Sequence, residues 1–129
     1  MESKPDFLLV EDNLVDQIVA QRLLKKAFDK EPVFVANNGK EALDWLLNHL
    51  TFDSLIVLLD IQMPIMNGLD FLNEFDKITE EIKKKIKIYV LSSTLDSDEI
   101  KKLKENKNVT KFLQKPFPSE MLKNEFLHD

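Results

Sequence analysis

No cysteine occurs among the 129 residues, which excludes disulfides and thiolate chemistry and is compatible with a reducing compartment. Long apolar runs are missing as well. No segment reaches the length of a membrane span, and the opening stretch MESKPDFLLVED has no apolar core ahead of a cleavage site, so a soluble, cytoplasmic chain is expected. Positive charge is in deficit, with 18 Lys and Arg against 23 Asp and Glu and a net charge of -5. Such a balance repels nucleic acid and anionic lipid, so neither direct nucleic-acid binding nor membrane insertion is expected. No repeat, low-complexity tract or interdomain linker interrupts the chain.

What is present is enough for one compact domain with a real core: 43% hydrophobic and 32% charged residues. Short apolar runs recur along the chain at Phe7 to Val10, Val33 to Ala36, Leu55 to Leu59, Ile86 to Leu91 and Lys111 to Gln114. The first and third are continuously apolar, as strands covered on both faces of a parallel sheet are. Helical patterns separate them. Ala20, Leu23, Leu24, Ala27 and Phe28 mark one apolar helix face, and Leu43, Leu46, Leu47 and Leu50 mark another, after Asn38 and Glu41 at capping-box spacing. Later helices are read in GLDFLNEF, in DSDEIKKLKE with Asp96 or Ser97 as N-cap, and in PSEMLKNEFL with Ser119 as N-cap. The stretch ITEEIKKKIK fits either an extension of the third helix or a charged loop. Strand and helix alternate five times, which predicts an α/β fold: a flavodoxin-like doubly wound five-stranded parallel sheet, order 2-1-3-4-5, with helices on both faces.

In such sheets the ligand crevice lies at the carboxyl ends of the strands. Glu11 and Asp12 follow the first run, and Asp60 ends the third, the most apolar of all. If those strands are neighbours, three carboxylates converge and repel one another unless a cation sits among them; oxygen ligands with room for water suit Mg²⁺. Singly, each acid reads as a solvated loop residue, and Asp12 or Asn13 equally as a helix cap. A carboxylate held there can also attack phosphorus, given a cation and donors for the phosphoryl oxygens. Ser92, with Ser93 and Thr94 beside it, and Lys115 end the remaining strands and supply a hydroxyl and an ammonium. A flavin carrier of similar architecture would need a Ser-, Thr- or Gly-rich phosphate loop where VEDNLVDQ puts acids.

LLVEDN, LLDIQMPIMNG, YVLSS and FLQKPF, in this order and spacing, resemble the receiver domain of two-component response regulators, in particular the stand-alone chemotaxis-type regulators. The resemblance implies a single receiver domain over residues 1–129, with no output domain. It implies phosphorelay signal transduction, with Asp60 as phosphoacceptor for a sensor histidine kinase or histidine phosphotransfer protein. Glu11, Asp12, Asp60 and the backbone carbonyl of Gln62 would hold Mg²⁺, Ser92 and Lys115 would bind the phosphoryl oxygens, and the bond before Pro116 would be cis. Gln62 and Thr94 occupy positions that tune hydrolysis of the phosphoryl group. Ser92 and Phe112 would form a switch towards an unknown downstream protein, across a face that includes Lys101, Lys102 and Lys104. The implied activity is confined to the domain's own phosphorylation and dephosphorylation. Three departures are mild: Ser92 where threonine is commoner, Glu11 where aspartate is, and Phe112 where tyrosine often stands. A phosphatase of the haloacid dehalogenase type would need an acid where Gln62 stands. His49 and His128 read as exposed helix residues and Trp45 as packing.

Overall fold

The computed structural model describes residues 5–49, 51–61, 66–92, 98–115, 120 and 123. Its elements run β1 (Asp6–Val10), α1 (Leu14–Phe28), β2 (Phe34–Ala36), α2 (Gly39–Asn48), β3 (Leu55–Asp60), α3 (Gly68–Phe75), α4 (Glu80–Lys83), β4 (Ile86–Ser92), α5 (Asp98–Lys104) and β5 (Val109–Gln114). Glu120 and Lys123 are helical. The sheet is all parallel in the order β2-β1-β3-β4-β5, the predicted doubly wound arrangement.

The apolar runs explain which strands sit centrally. All six residues of β3 are buried, as are Phe7 to Val10 of β1. Alternate side chains enter two cores. Leu8, Val10, Val57, Leu59, Ile88 and Val90 pack with α2, α3 and Leu103 of α5, while Phe7, Leu9, Ile56, Leu58, Tyr89 and Leu91 pack with α1. Each such side chain taken wholly out of water contributes about 1.5–3 kcal/mol before conformational entropy is set against it.

The helices start where the caps predict. Asn13, one of two candidate caps, accepts the Asp16 N–H at 2.9 Å, and Asn38 accepts that of Glu41 at 2.9 Å. The Glu41 carboxylate reaches back one residue further than a capping box requires, to the N–H of Asn37 at 3.0 Å. On α2 the buried stripe is Ala42, Leu43 and Leu46, whereas Leu47 is exposed, contrary to the expected face. The ITEEIKKKIK stretch neither extends α3 nor stays a loop: α3 ends at Phe75 with Asp76 as its C-cap, and Thr79 opens the separate one-turn α4. β5 begins two residues earlier than its apolar pattern, because a register shift leaves Thr110 unmatched between Val109 and Lys111. The caps read at Asp96, Ser97 and Ser119 lie outside the described residues, as does Leu50.

Parallel pairing also sets what stands at the carboxyl rim. Val10 pairs with Leu59, Asp60 with Leu91 and Ser92 with Gln114. The ladders continue past the strands, Glu11 N–H donating to Ala36 O at 2.9 Å and Lys115 N–H to Ser92 O at 2.7 Å. Four strand ends thus present Glu11, Asp60, Ser92 and Lys115 in one row.

Candidate acidic site at the carboxyl ends of the strands

Glu11, Asp12 and Asp60 bring one carboxylate oxygen each to within 4.8 Å of one another. Glu11 and Asp60 are buried and Asp12 is exposed, so the cluster opens to solvent on one side. Octahedral Mg²⁺ binds oxygen at about 2.0–2.1 Å, so oxygens this close need only a small inward movement to share one ion, leaving room for waters. The donor set, oxygen only and three-fold acidic, fits a hard divalent cation.

Lys115 is the positive charge that faces this cluster. Its Nζ lies 2.9 Å from Glu11 Oε1, 3.0 Å from Asp16 Oδ2 and 3.6 Å from Asp60 Oδ1. Burial opposes the ammonium charge, but hydrogen bonds to Glu11 and Asp16 and the field of Asp60 outweigh it and hold the lysine pKa above its ordinary value. Glu11 is displaced the other way. Burial first, and then the negative charge of Asp60, raise its pKa to about 7 against the pull of Lys115 and of the Asn13 N–H. A carboxyl that resists ionisation beside a lysine marks a site short of positive charge.

Local packing holds the acids in place. Glu11 Oε2 accepts the Asn13 N–H at 3.1 Å, and the buried Gln17 donates to Glu11 O at 2.6 Å and Asn37 Oδ1 at 2.8 Å, tying the end of β1 to the loop before α2. Beyond Asp60, Ile61, Met66 and Gly68 are anchored too. Gly68 N–H donates to Ile61 O at 3.2 Å and Gly39 N–H to Met66 O at 3.3 Å. A Cβ on Gly39 would lie 2.9 Å from that carbonyl, so only glycine allows the approach.

Ser92 is buried at the end of β4, and Phe112 lies half-buried on β5, packed against the core that contains Val90 and Leu103. Gln62, Thr94 and Pro116 fall outside the described residues, as do Ser93, His128 and the segment Met63 to Ile65. Lys101, Lys102 and Lys104 are exposed. Trp45 packs against the core, its ring stacked between 4.8 and 6.5 Å from those of His49, Phe34 and Phe52, as a packing residue would. Two contributors escape a reading of the sequence. Asp16 looks like any first-turn helix acid, and Gln17 like a surface glutamine; their position within one turn of the acid pair is the only signal.

The response regulator receiver domain model matches residues 7–126. The chain belongs to that family. Two-component response regulator 24 of Arabidopsis thaliana is 41% identical over 68 residues, 53% of this chain and 46% of that protein. Histidine kinase 5 of the same plant is 40% identical over 67 residues, 52% of this chain and 7% of the kinase. The matched stretches thus span less than half the length of these two curated relatives. A solved response regulator receiver protein from Dyadobacter fermentans superposes with a TM-score of 0.84 at 27% identity, covering 95% of this chain and 94% of that one. This receiver domain is therefore homologous to those of response regulators and of histidine kinases, consistent with phosphorelay signalling. Among the described residues no helix is long and apolar enough to cross a membrane.

Proposed function

We propose that this receiver domain accepts a phosphoryl group on Asp60 from a phosphohistidine of a sensor histidine kinase or histidine phosphotransfer protein, with Mg²⁺ as cofactor. The observation that carries the reading is the convergence of Glu11, Asp12 and Asp60 on one point with Lys115 beside them. In the transfer an Asp60 carboxylate oxygen bonds to phosphorus while the bond from phosphorus to imidazole nitrogen breaks, the electron pair leaving with the imidazole. Bound by Glu11, Asp12 and Asp60, Mg²⁺ would supply the charge that offsets the incoming oxygens. The Gln62 carbonyl as a further ligand, and a cis bond before Pro116, rest on the family resemblance alone.

Lys115 has the charge and reach to pair with a phosphoryl oxygen, and the Ser92 hydroxyl, in the same row of strand ends, can donate to another. On the α1 face beside the site, Leu14, Val15, Ile18 and Val19 are 69%, 66%, 43% and 38% exposed, an apolar patch suited to seating the phosphodonor. Modification adds about -1.5 to -2 charges at one point. The β4–β5 register puts Phe112 two residues before Gln114, the partner of Ser92, and hence on the Val90 side of the sheet. Movement of Ser92 towards the phosphoryl group would be felt by that ring and by the α5 face with Lys101, Lys102 and Lys104, where a downstream protein would bind. The activity is limited to the domain's own phosphorylation and dephosphorylation, in the cytoplasm with its donor.

Intact mass after incubation with acetyl phosphate and Mg²⁺ tests this. A gain of one phosphoryl group in the wild type, absent without metal and in Asp60→Asn, supports it. No gain in any sample, with beryllofluoride also failing to bind, leaves a receiver-shaped docking module.

A further inference from the structure

Lys115 is hydrogen-bonded to two carboxylates, of which only Glu11 belongs to the acid cluster. Its ammonium is within hydrogen-bond distance of Glu11 at 2.9 Å and Asp16 at 3.0 Å, while Asp60 at 3.6 Å lies beyond that range. The two close partners differ in what could replace the lysine. Glu11 belongs to the cluster with Asp12 and Asp60, so a divalent cation there would satisfy it once Lys115 moved away. Asp16 stands outside that cluster, on the first turn of α1, with its backbone N–H fixed to the Asn13 side chain at 2.9 Å. A cation held by the cluster would therefore free Lys115 from one carboxylate and leave it on the other. Leu9, Val19, Ala20 and Leu91 line the small cavity that Asp16 and Lys115 also line, which keeps this ion pair from being wholly solvated.

Resting on the phosphoacceptor reading of Asp60, we propose that Asp16 is a positioning residue that competes with the phosphoryl group for the Lys115 ammonium. Lysine has three N–H donors on a flexible stem, and a donor aimed at Asp16 is not aimed at phosphoryl oxygen. Moving Lys115 fully to the modified Asp60 leaves the Asp16 carboxylate without its partner. The carboxylate thus holds back the modified state, acting as a limiter built into α1.

The test is beryllofluoride affinity in the presence of Mg²⁺, read by ¹⁹F NMR, for wild type, Asp16→Asn, Lys115→Met and the double variant. Loss of the competitor tightens binding in Asp16→Asn by roughly two- to fivefold, the range for one partly exposed ion pair. In the Lys115→Met background the same change has no effect, because no ammonium remains to be contested; a role in helix stability alone would persist there. Mg²⁺ affinity in the absence of beryllofluoride changes less than beryllofluoride affinity does. Asp16→Ser serves as a second variant that also lacks the charge and guards against a local effect of asparagine. Equal beryllofluoride affinity in wild type and both Asp16 variants overturns the competition while leaving the phosphoacceptor reading intact. Failure of every protein to bind beryllofluoride overturns both.

Discussion

Lys115 donates to Glu11 across 2.9 Å although 104 positions separate them in the chain. The contact closes the sheet's carboxyl rim, since it joins the end of β5 to the end of β1 over the top of β3 and β4. It leaves Glu11 with its pKa raised to about 7, because burial and Asp60 together outweigh the lysine.

A pH dependence follows from that shift. An unfolded glutamate titrates near 4.5, so between there and about 7 the folded, metal-free protein binds more protons than the unfolded chain. Stability therefore falls as pH rises through this window. Thermal melts without metal should drop by roughly 5 °C between about pH 5 and about pH 7.5. Saturating Mg²⁺ should flatten the slope, and Glu11→Gln should be flat without metal. A wild-type melt that rises over this window would contradict the assignment.

At the other end of the sheet, the buried Lys83 pairs with Asp76 at 3.1 Å and Glu80 at 3.2 Å, and Asp76 also accepts from Asn108 at 3.1 Å. The hydrogen bonds from Asn108 and then Lys83 lower the Asp76 pKa to about 2. The stabilisation is complete above the ordinary value of 3.8 and is lost as pH falls towards 2. Asp76→Asn should flatten that acid limb of a urea-midpoint profile. Lys83→Ala, which leaves Asp76 without its buried partner, should lower the neutral-pH midpoint without changing the slope.

Gly39→Ala should destabilise although alanine favours helix. The new Cβ would fall 2.8 Å from Met66 Cγ and 2.9 Å from Met66 O. Displacing backbone costs about 1–3 kcal/mol, more than the gain of up to about 1 kcal/mol in helix propensity. Urea denaturation reads the net loss, and amide shifts near Met66 locate it.

Ile18→Glu separates docking from chemistry. Ile18 is 43% exposed on the apolar patch of α1 and makes no part of the acid cluster. Phosphorylation by acetyl phosphate should be unchanged, whereas transfer from a phosphohistidine protein should slow by roughly tenfold or more, the loss of a central apolar contact. Equal slowing in both assays would assign Ile18 to the site itself.

The sequence carries the fold wherever burial is two-sided or capping is local. FLLV and LIVLL read as central strands from their continuous apolar character, and Asn38 announces α2, while Asp12 and Asn13 read equally as caps and the Asp16 N–H selects Asn13. Glu11 and Asp60 are legible for the same reason, as acids at the ends of buried strands, whereas Lys115 follows β5, in which only Leu113 is buried, and is placed by the sheet order. Which lysine of IKKKIK is buried is not legible, because Lys83, Lys84 and Lys85 have the same local pattern, and Lys83 is set apart by its bond to Asp76, which Asn108 also holds. The Asp16–Lys115 pair is hidden likewise, joining residues 99 positions apart whose meeting depends on completed sheet order. Leu47 misleads because the buried stripe runs through Ala42, small and easily passed over, with Leu43 and Leu46.

The Lys83, Asp76 and Asn108 ties gather where β4 and β5 begin, while Glu11, Asp60, Ser92 and Lys115 stand where the strands end. The clasp and the acid row are thus kept a strand's length apart. On the proposed function, substitutions that retune the acids or exchange the patch on α1 fall at one rim and leave the clasp at the other untouched, so a lineage of such domains is free to change correspondents while keeping its frame.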